Sequence, residues 1–169
     1  MTVTVQTYLE DTIDGRIIPM LKEVSAVFTP RVQRVERYVQ AEATPPFWWV
    51  YPGGVSRRKD AAQTRVFTYT VNMRLVLGYA QQTGYKGQYE GALWSWMPTV
   101  MDYFEARRSL VYLPEQQPPK ADGWLLDTEN VEVLDMTPLG VFEDFGHIGI
   151  ELPLVLPFRN IRFAVYGGN

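Results

Sequence analysis

The chain has 169 residues, 46% of them hydrophobic and 14% aromatic, and a formal net charge of −3. That length suits one domain with a real core, and the aromatic content excludes a disordered tail. With no cysteine and a single histidine, His147, disulfides, thiolate metal sites and cysteine nucleophiles are excluded, and zinc or triad chemistry lacks partners.

No apolar run reaches the roughly 18 residues that cross a bilayer. The N-terminal Met1-Thr-Val-Thr-Val-Gln has neither the basic nor the apolar region of a signal peptide. The expectation is a soluble domain made in the cytosol, with no membrane partner. Charge is unevenly spread. Residues 1–86 carry eleven Lys/Arg and seven Asp/Glu, a balance of +4, whereas residues 87–169 carry five and twelve, a balance of −7. That is the wrong pattern for a DNA-binding domain with a basic stripe, but it suits head-to-tail association of copies. Two solvated surfaces that merely differ in charge are the plainer reading.

In chain order, Leu9, Ile13, Ile17, Leu21, Val24 and Phe28 recur every three or four residues and predict a helix over 7–28. Thr7 and Glu10 have the spacing of a capping box, and Pro19, near Gly15, predicts a kink or break. Short extended segments follow at 32–39 and 47–51, the second closed by a Pro52-Gly53-Gly54 turn signal. From Arg65 to Tyr79, Phe67, Tyr69, Val71, Met73, Leu75 and Leu77 alternate with Thr68, Thr70, Asn72 and Arg74. This predicts a long, half-buried antiparallel strand. A second helix is expected over 88–108, with Tyr89, Leu93, Trp96, Met97, Val100 and Phe104 as its stripe. Pro98 predicts a kink in it, and Arg107 and Arg108 complement the dipole in its last turn. A short strand is expected over 109–113, then a long loop. Val131 and Val133 predict one further strand, residues 139–142 another, and 161–166 a last one. Ile148, Ile150, Leu152, Leu154 and Leu156 alternate in a closing strand whose Pro153 and Pro157 predict an edge or a bend. The whole reads as a single α+β domain over 1–169, a mainly antiparallel sheet with long strands against two amphipathic helices, with extended loops at 53–64 and 114–128.

Few residues carry chemistry. His147 lacks the constellation that catalysis needs and reads as structural. Gly84-Tyr-Lys86-Gly87 leads from a strand into a helix but matches neither phosphate-loop pattern, and reads as a plain turn. The carboxylates Glu129, Glu132, Asp135, Glu143, Asp144 and Glu151 lack calcium-loop spacing and read as a solvated or interface-lining acidic face. No catalytic residue, metal ligand or cofactor is expected. The aromatic run 47–51 reads as core rather than as a base-stacking platform. Arg57, Arg58 and Lys59 stand out as three consecutive cations on a Gly-rich hairpin tip. They form either a mobile positive arm for phosphate or for an acidic patch on a neighbouring subunit, or an ordinary solvated tip. Three charges release too few counterions to imply specific nucleic-acid recognition.

The order of elements, with the stretch Arg65-Val-Phe-Thr-Tyr-Thr-Val-Asn-Met-Arg-Leu-Val-Leu-Gly-Tyr, the helix through Leu93-Trp-Ser-Trp-Met-Pro-Thr-Val-Met and the strand His147-Ile-Gly-Ile-Glu-Leu-Pro-Leu-Val-Leu, resembles the tail-terminator and neck proteins of long-tailed bacteriophages. The resemblance covers nearly the whole chain as element order and rests on no signature residue. It implies a virion protein of the tail or neck, assembled in the host cytoplasm. It also implies a hexameric ring between a tail tube protein and a head connector or stopper, with genomic DNA passing through the lumen without sequence-specific contact and no enzymatic residues. A head-closure stopper or a tail-tube subunit is the neighbouring alternative. A small α+β ligand-binding domain or enzyme, or a nucleic-acid module, is the alternative of another class.

Overall fold

The computed structural model describes residues 5–29, 31–32, 34–37, 44–59, 65–79, 90–108, 110, 124–139 and 147–160. They form an α+β fold in which a seven-stranded, mainly antiparallel sheet carries helices on one face. The N-terminal helical stretch comprises α1 (Val5–Thr12), a π-helical turn (Ile13–Ile17) and α2 (Ile18–Ser25). Its apolar stripe is buried throughout, from Tyr8, Leu9 and Ile13 to Ile17, Met20, Leu21, Val24 and Phe28. Pro19 does not break the helix. A proline ring clashes with the carbonyl four residues back and donates nothing to it. Here the turn preceding it widens instead, and the Ile18 amide donates to the Ile13 carbonyl. Thr7, expected at the helix start, falls inside α1, which already includes Val5.

Strand β1 (Val35–Glu36) lies parallel to β2 (Phe47–Lys59), which is antiparallel to β3 (Arg65–Tyr79). Pro52-Gly53-Gly54 is no turn. The pairing slips between Pro52 and Gly54, so Gly53 is an extra residue bulged into a 13-residue strand. A Cβ on Gly53 would come within 2.9 Å of the Asn72 side chain, which is why the small residue suits the bulge. Of the expected loop 53–64, residues 53–59 are therefore strand, and 60–64 lie outside the described residues. The alternation of β3 is as expected, with Val71, Met73, Leu75 and Leu77 in the main core. Val66 and Val76, on its other face, are buried as well, and Val76 packs with Phe47 and Trp49.

Helix α3 (Glu90–Glu105) buries Leu93, Trp96, Val100 and Phe104, and Trp96 stacks on Phe28 with ring centroids 4.5 Å apart. Pro98 lies on its exposed side. Arg107 and Arg108 fall just beyond the helix, not in its last turn, and Arg107 sits 4.0 Å above the Tyr103 ring. Leu110 is buried with a positive φ of 53°, a left-handed residue rather than strand; 109 and 111–113 lie outside the described residues. Within the expected loop 114–128, residues 124–126 form β4 (Trp124–Leu126), followed by a 3-10 turn (Thr128–Asn130). Next come β5 (Glu132–Val133) and β6 (Thr137–Leu139).

The closing strand β7 (His147–Asn160) is not an edge. It pairs with all of β3 on one side and with β6, β5 and β4 in turn on the other. Its prolines explain the interruption. In an antiparallel ladder a residue's N–H and C=O point to the same neighbour. The Pro153 carbonyl accepts from Leu134 N (3.1 Å) and the Pro157 carbonyl from Asp127 N (2.8 Å). Both missing donors thus face the β4–β6 side, where the partner strand is broken into pieces, and the β3 ladder loses nothing. The expected strand over 161–166 lies outside the described residues.

Candidate functional site

Three surfaces of the sheet gather polar chemistry. The first is the far end of the β2–β3 hairpin. Beyond the bulge, residues 54–58 are exposed, Val55 by 61%, and β2 pairs outward with β1 only at Trp48 and Trp49. Among the described residues, the outer edge of β2 from Pro52 to Lys59 has no neighbouring strand. Arg57, Arg58 and Lys59 lie here, paired with Phe67, Val66 and Arg65. They are thus on an extended strand rather than on a mobile tip, and alternation sends Arg57 and Arg58 to opposite faces. The neighbouring strands β3, β4 and β7 are tied together by aromatics. Phe67 meets Trp124 at 5.2 Å, and Phe158 contacts both Tyr69 (5.8 Å) and Tyr8 (5.2 Å). Among the described residues Arg57 and Arg58 form no ion pair.

The second surface is the opposite edge of the same sheet. Residues 124–139 contain Asp127, Glu129, Glu132 and Asp135 and no Lys or Arg. Asp127 is tied down: its carboxylate lies 2.6 Å from Arg159 Nε and accepts from Asn130 Nδ2 at 2.7 Å. Glu129, Glu132 and Asp135 are exposed and form no ion pair among the described residues. Register places the two edges at one level. Arg57 pairs with Phe67, Phe67 with Phe158, and Phe158 with Leu126, next to Asp127. Glu132 lies on the rung of Val155, Thr70 and Gly54.

The third surface is the sheet face turned away from the helices. Arg74 and Glu151, cross-strand partners, are 2.6 Å apart (Nη2 to Oε2), with side chains only 23% and 20% exposed. Arg74 Nε also donates to Glu151 Oε2 (2.7 Å) and Nη2 to Tyr51 Oη (2.9 Å), while Tyr51 Oη donates to Glu151. The guanidinium lies 5.3 Å from the Tyr51 ring and 5.7 Å from Trp49, within cation–π range. Burial, and then the bond to Glu151, push the Tyr51 phenol up to about 12. Tyr51, Arg74 and Glu151 are bonded to one another beneath the Trp49 ring, an arrangement that suits a rigid patch.

A groove of about 340 Å³ opens between α1 and the bulged part of β2. Leu9, Ile13, Val50 and Val71 give it an apolar floor, and Gln6, Glu10 and Arg37 a polar rim. Among the described residues no three His, Asp or Glu side chains converge as a metal site would require. Lone His147 lies at the start of β7 opposite Tyr79. Gly84, Lys86, Gly87, Glu143 and Asp144 lie outside the described residues. The carboxylates do not act as one face: Glu151 serves the Arg74 network, while Glu129, Glu132 and Asp135 line the sheet edge. The network itself was not legible, because Tyr51, Arg74 and Glu151 are far apart in sequence and each reads alone as an outward strand position.

No protein-family model matches the chain, and no curated protein sequence matches it significantly.

Proposed function

We propose that the protein is a structural, non-enzymatic subunit of a long-tailed phage particle, a ring-forming tail terminator or close neck component. The observation that carries this reading is the sheet. Its three main strands have 13, 15 and 14 residues, against the roughly five or six of an ordinary strand. The outermost of them, β2, runs past its pairing with β1 into an exposed edge with no neighbouring strand among the described residues, and a ring of copies uses up such an edge. The order of elements resembles that family, and the polar clusters are saturated pairs or exposed charges rather than a catalytic constellation. The tail tube on one side and the head connector or stopper on the other are the partners of this reading, with DNA threading the lumen without sequence-specific contact.

The test is electron imaging and light scattering of the purified chain, alone and with isolated tail tubes. Six-fold or similar rings, and binding to tubes in preference to filled heads, are expected. Preference for filled heads would instead indicate a stopper. A strict monomer that binds neither would overturn the proposal.

A further inference from the structure

We infer that copies of this chain join edge to edge, the basic outer edge of β2 at Arg57 and Arg58 seating on the acidic β4–β5 edge, at Glu129 and Glu132, of the next copy. The inference rests on the ring reading above and names the surfaces that would close the ring. Strand β2 contains three cations and no anion, and residues 124–139 four anions and no cation. Arg57 and Arg58 on one side, and Glu129 and Glu132 on the other, are exposed and form no ion pair among the described residues. An edge strand with unpaired backbone groups is a template for another chain, and cations along it suppress pairing with anything except a complementary edge.

Geometry adds an independent constraint. Only three inter-strand spacings, about 14 Å, separate β2 from β4 across the sheet. The two charged edges overlap in height: Leu126, beside Asp127, lies on the rung of Arg57, and Glu132 lies three residues along β2, on the rung of Gly54. A closed ring is generated by rotation alone, with no rise along its axis, so the surfaces that meet must sit at the same height. Patches level along the strands satisfy this with the strands running near the ring axis. Had the charges lain at opposite ends of the strands, the same contact would have built a rising filament. The two edges also differ from each other, which makes the contact heterologous and excludes a self-complementary two-fold dimer through either edge alone.

The experiment uses charge reversal in the full chain. R57E/R58E leaves both edges acidic, and E129R/E132R leaves both basic. Each is expected to weaken self-association by about 100-fold or more, since like charges brought together at an interface are costly. A one-to-one mixture of the two is expected to associate again, with the variants alternating, and the chain reversed at both edges is expected to associate as the wild type does. All four positions are exposed, and circular dichroism checks that each variant folds. The salt dependence of wild-type association, expected to weaken on the order of tenfold as salt rises to about 0.5 M, gives a readout that needs no variant. Wild-type oligomers that persist in both reversed variants and in high salt would overturn the edge contact while leaving the ring reading intact. An R57E/R58E chain that keeps its oligomer but loses binding to a DNA duplex would overturn it in favour of a nucleic-acid contact. A wild type that is monomeric at every concentration, with and without tail tubes, would overturn both.

Discussion

Replacing Arg74 by Met and Glu151 by Gln, singly and together, measures how much the open face of the sheet contributes to its rigidity. The two charges are held at 2.6 Å with a fifth to a quarter of each side chain exposed, and Arg74 is further held by Tyr51 and Trp49. Exposed pairs couple by roughly 0.2–1 kcal/mol, whereas breaking a fully buried pair costs about 3–5 kcal/mol. Partial exposure and the single shared oxygen, Oε2, place this pair between those limits. The expected coupling in a double-mutant cycle is about 1–2 kcal/mol. For a chain of this size, each kcal/mol lowers the midpoint of thermal unfolding by about 2–4 °C. Urea titration followed by tryptophan fluorescence is the assay, with Trp49 beside the guanidinium as a local reporter. Coupling below about 0.5 kcal/mol, within the scatter of independent sites, would refute the reasoning. So would coupling that disappears in molar salt, since screening of that kind belongs to solvated pairs.

Three further outcomes follow from the packing. Gly149→Ala places a Cβ 1.7 Å from the Leu75 carbonyl oxygen, and because backbone must shift to make room, a loss of at least about 3 kcal/mol is expected from denaturant titrations. Gly54→Ala, with nothing within 4 Å, is the matched control and should be near neutral. Trp48→Phe removes the indole N–H that donates to Ser25 Oγ at 2.7 Å, with both residues fully buried. The stranded hydroxyl alone costs about 1–3 kcal/mol, and the lost ring volume adds to it. Stability should also fall as pH rises from 10 to 12. Burial first, and then Glu151 and Glu23 respectively, push the Tyr51 and Tyr103 phenols up to about 12. The unfolded chain therefore loses these protons first, and their contribution, full below pH 10, is lost through that window. Urea midpoints across this range should decline less steeply in Y51F/Y103F.

Periodicity made part of this fold readable, and local chemistry misled in identifiable places. The alternation of Arg65–Tyr79 and the stripes through Leu21 and Val100 report burial directly, so β3 and the helical faces emerge where expected. Pro52-Gly53-Gly54 has the composition of a turn, but a turn and a bulge use the same residues. Only the cross-strand register with Asn72 and Thr70 tells them apart. The prolines of β7 likewise signal a missing donor without saying on which side, and the side decides between edge and centre. The cationic run was legible as a cluster, yet the acidic edge level with it was not. Its position is set by β7 pairing with segments some 20 to 35 residues away.

The central position of β7 has a consequence for the order of synthesis. The strand that joins β3 to the β4–β6 pieces follows all of them in the chain. A nascent chain can form the β2–β3 hairpin early, but the acidic edge is not held at the height of the basic one until residues 147–160 have left the ribosome. Non-local pairing of this kind is slow, and half-made sheets are prone to wrong partners. Here the delay is protective, because an incomplete chain presents only one half of the proposed joint. In the proposed ring each member must therefore be a finished molecule, since an incomplete chain lacks the acidic half.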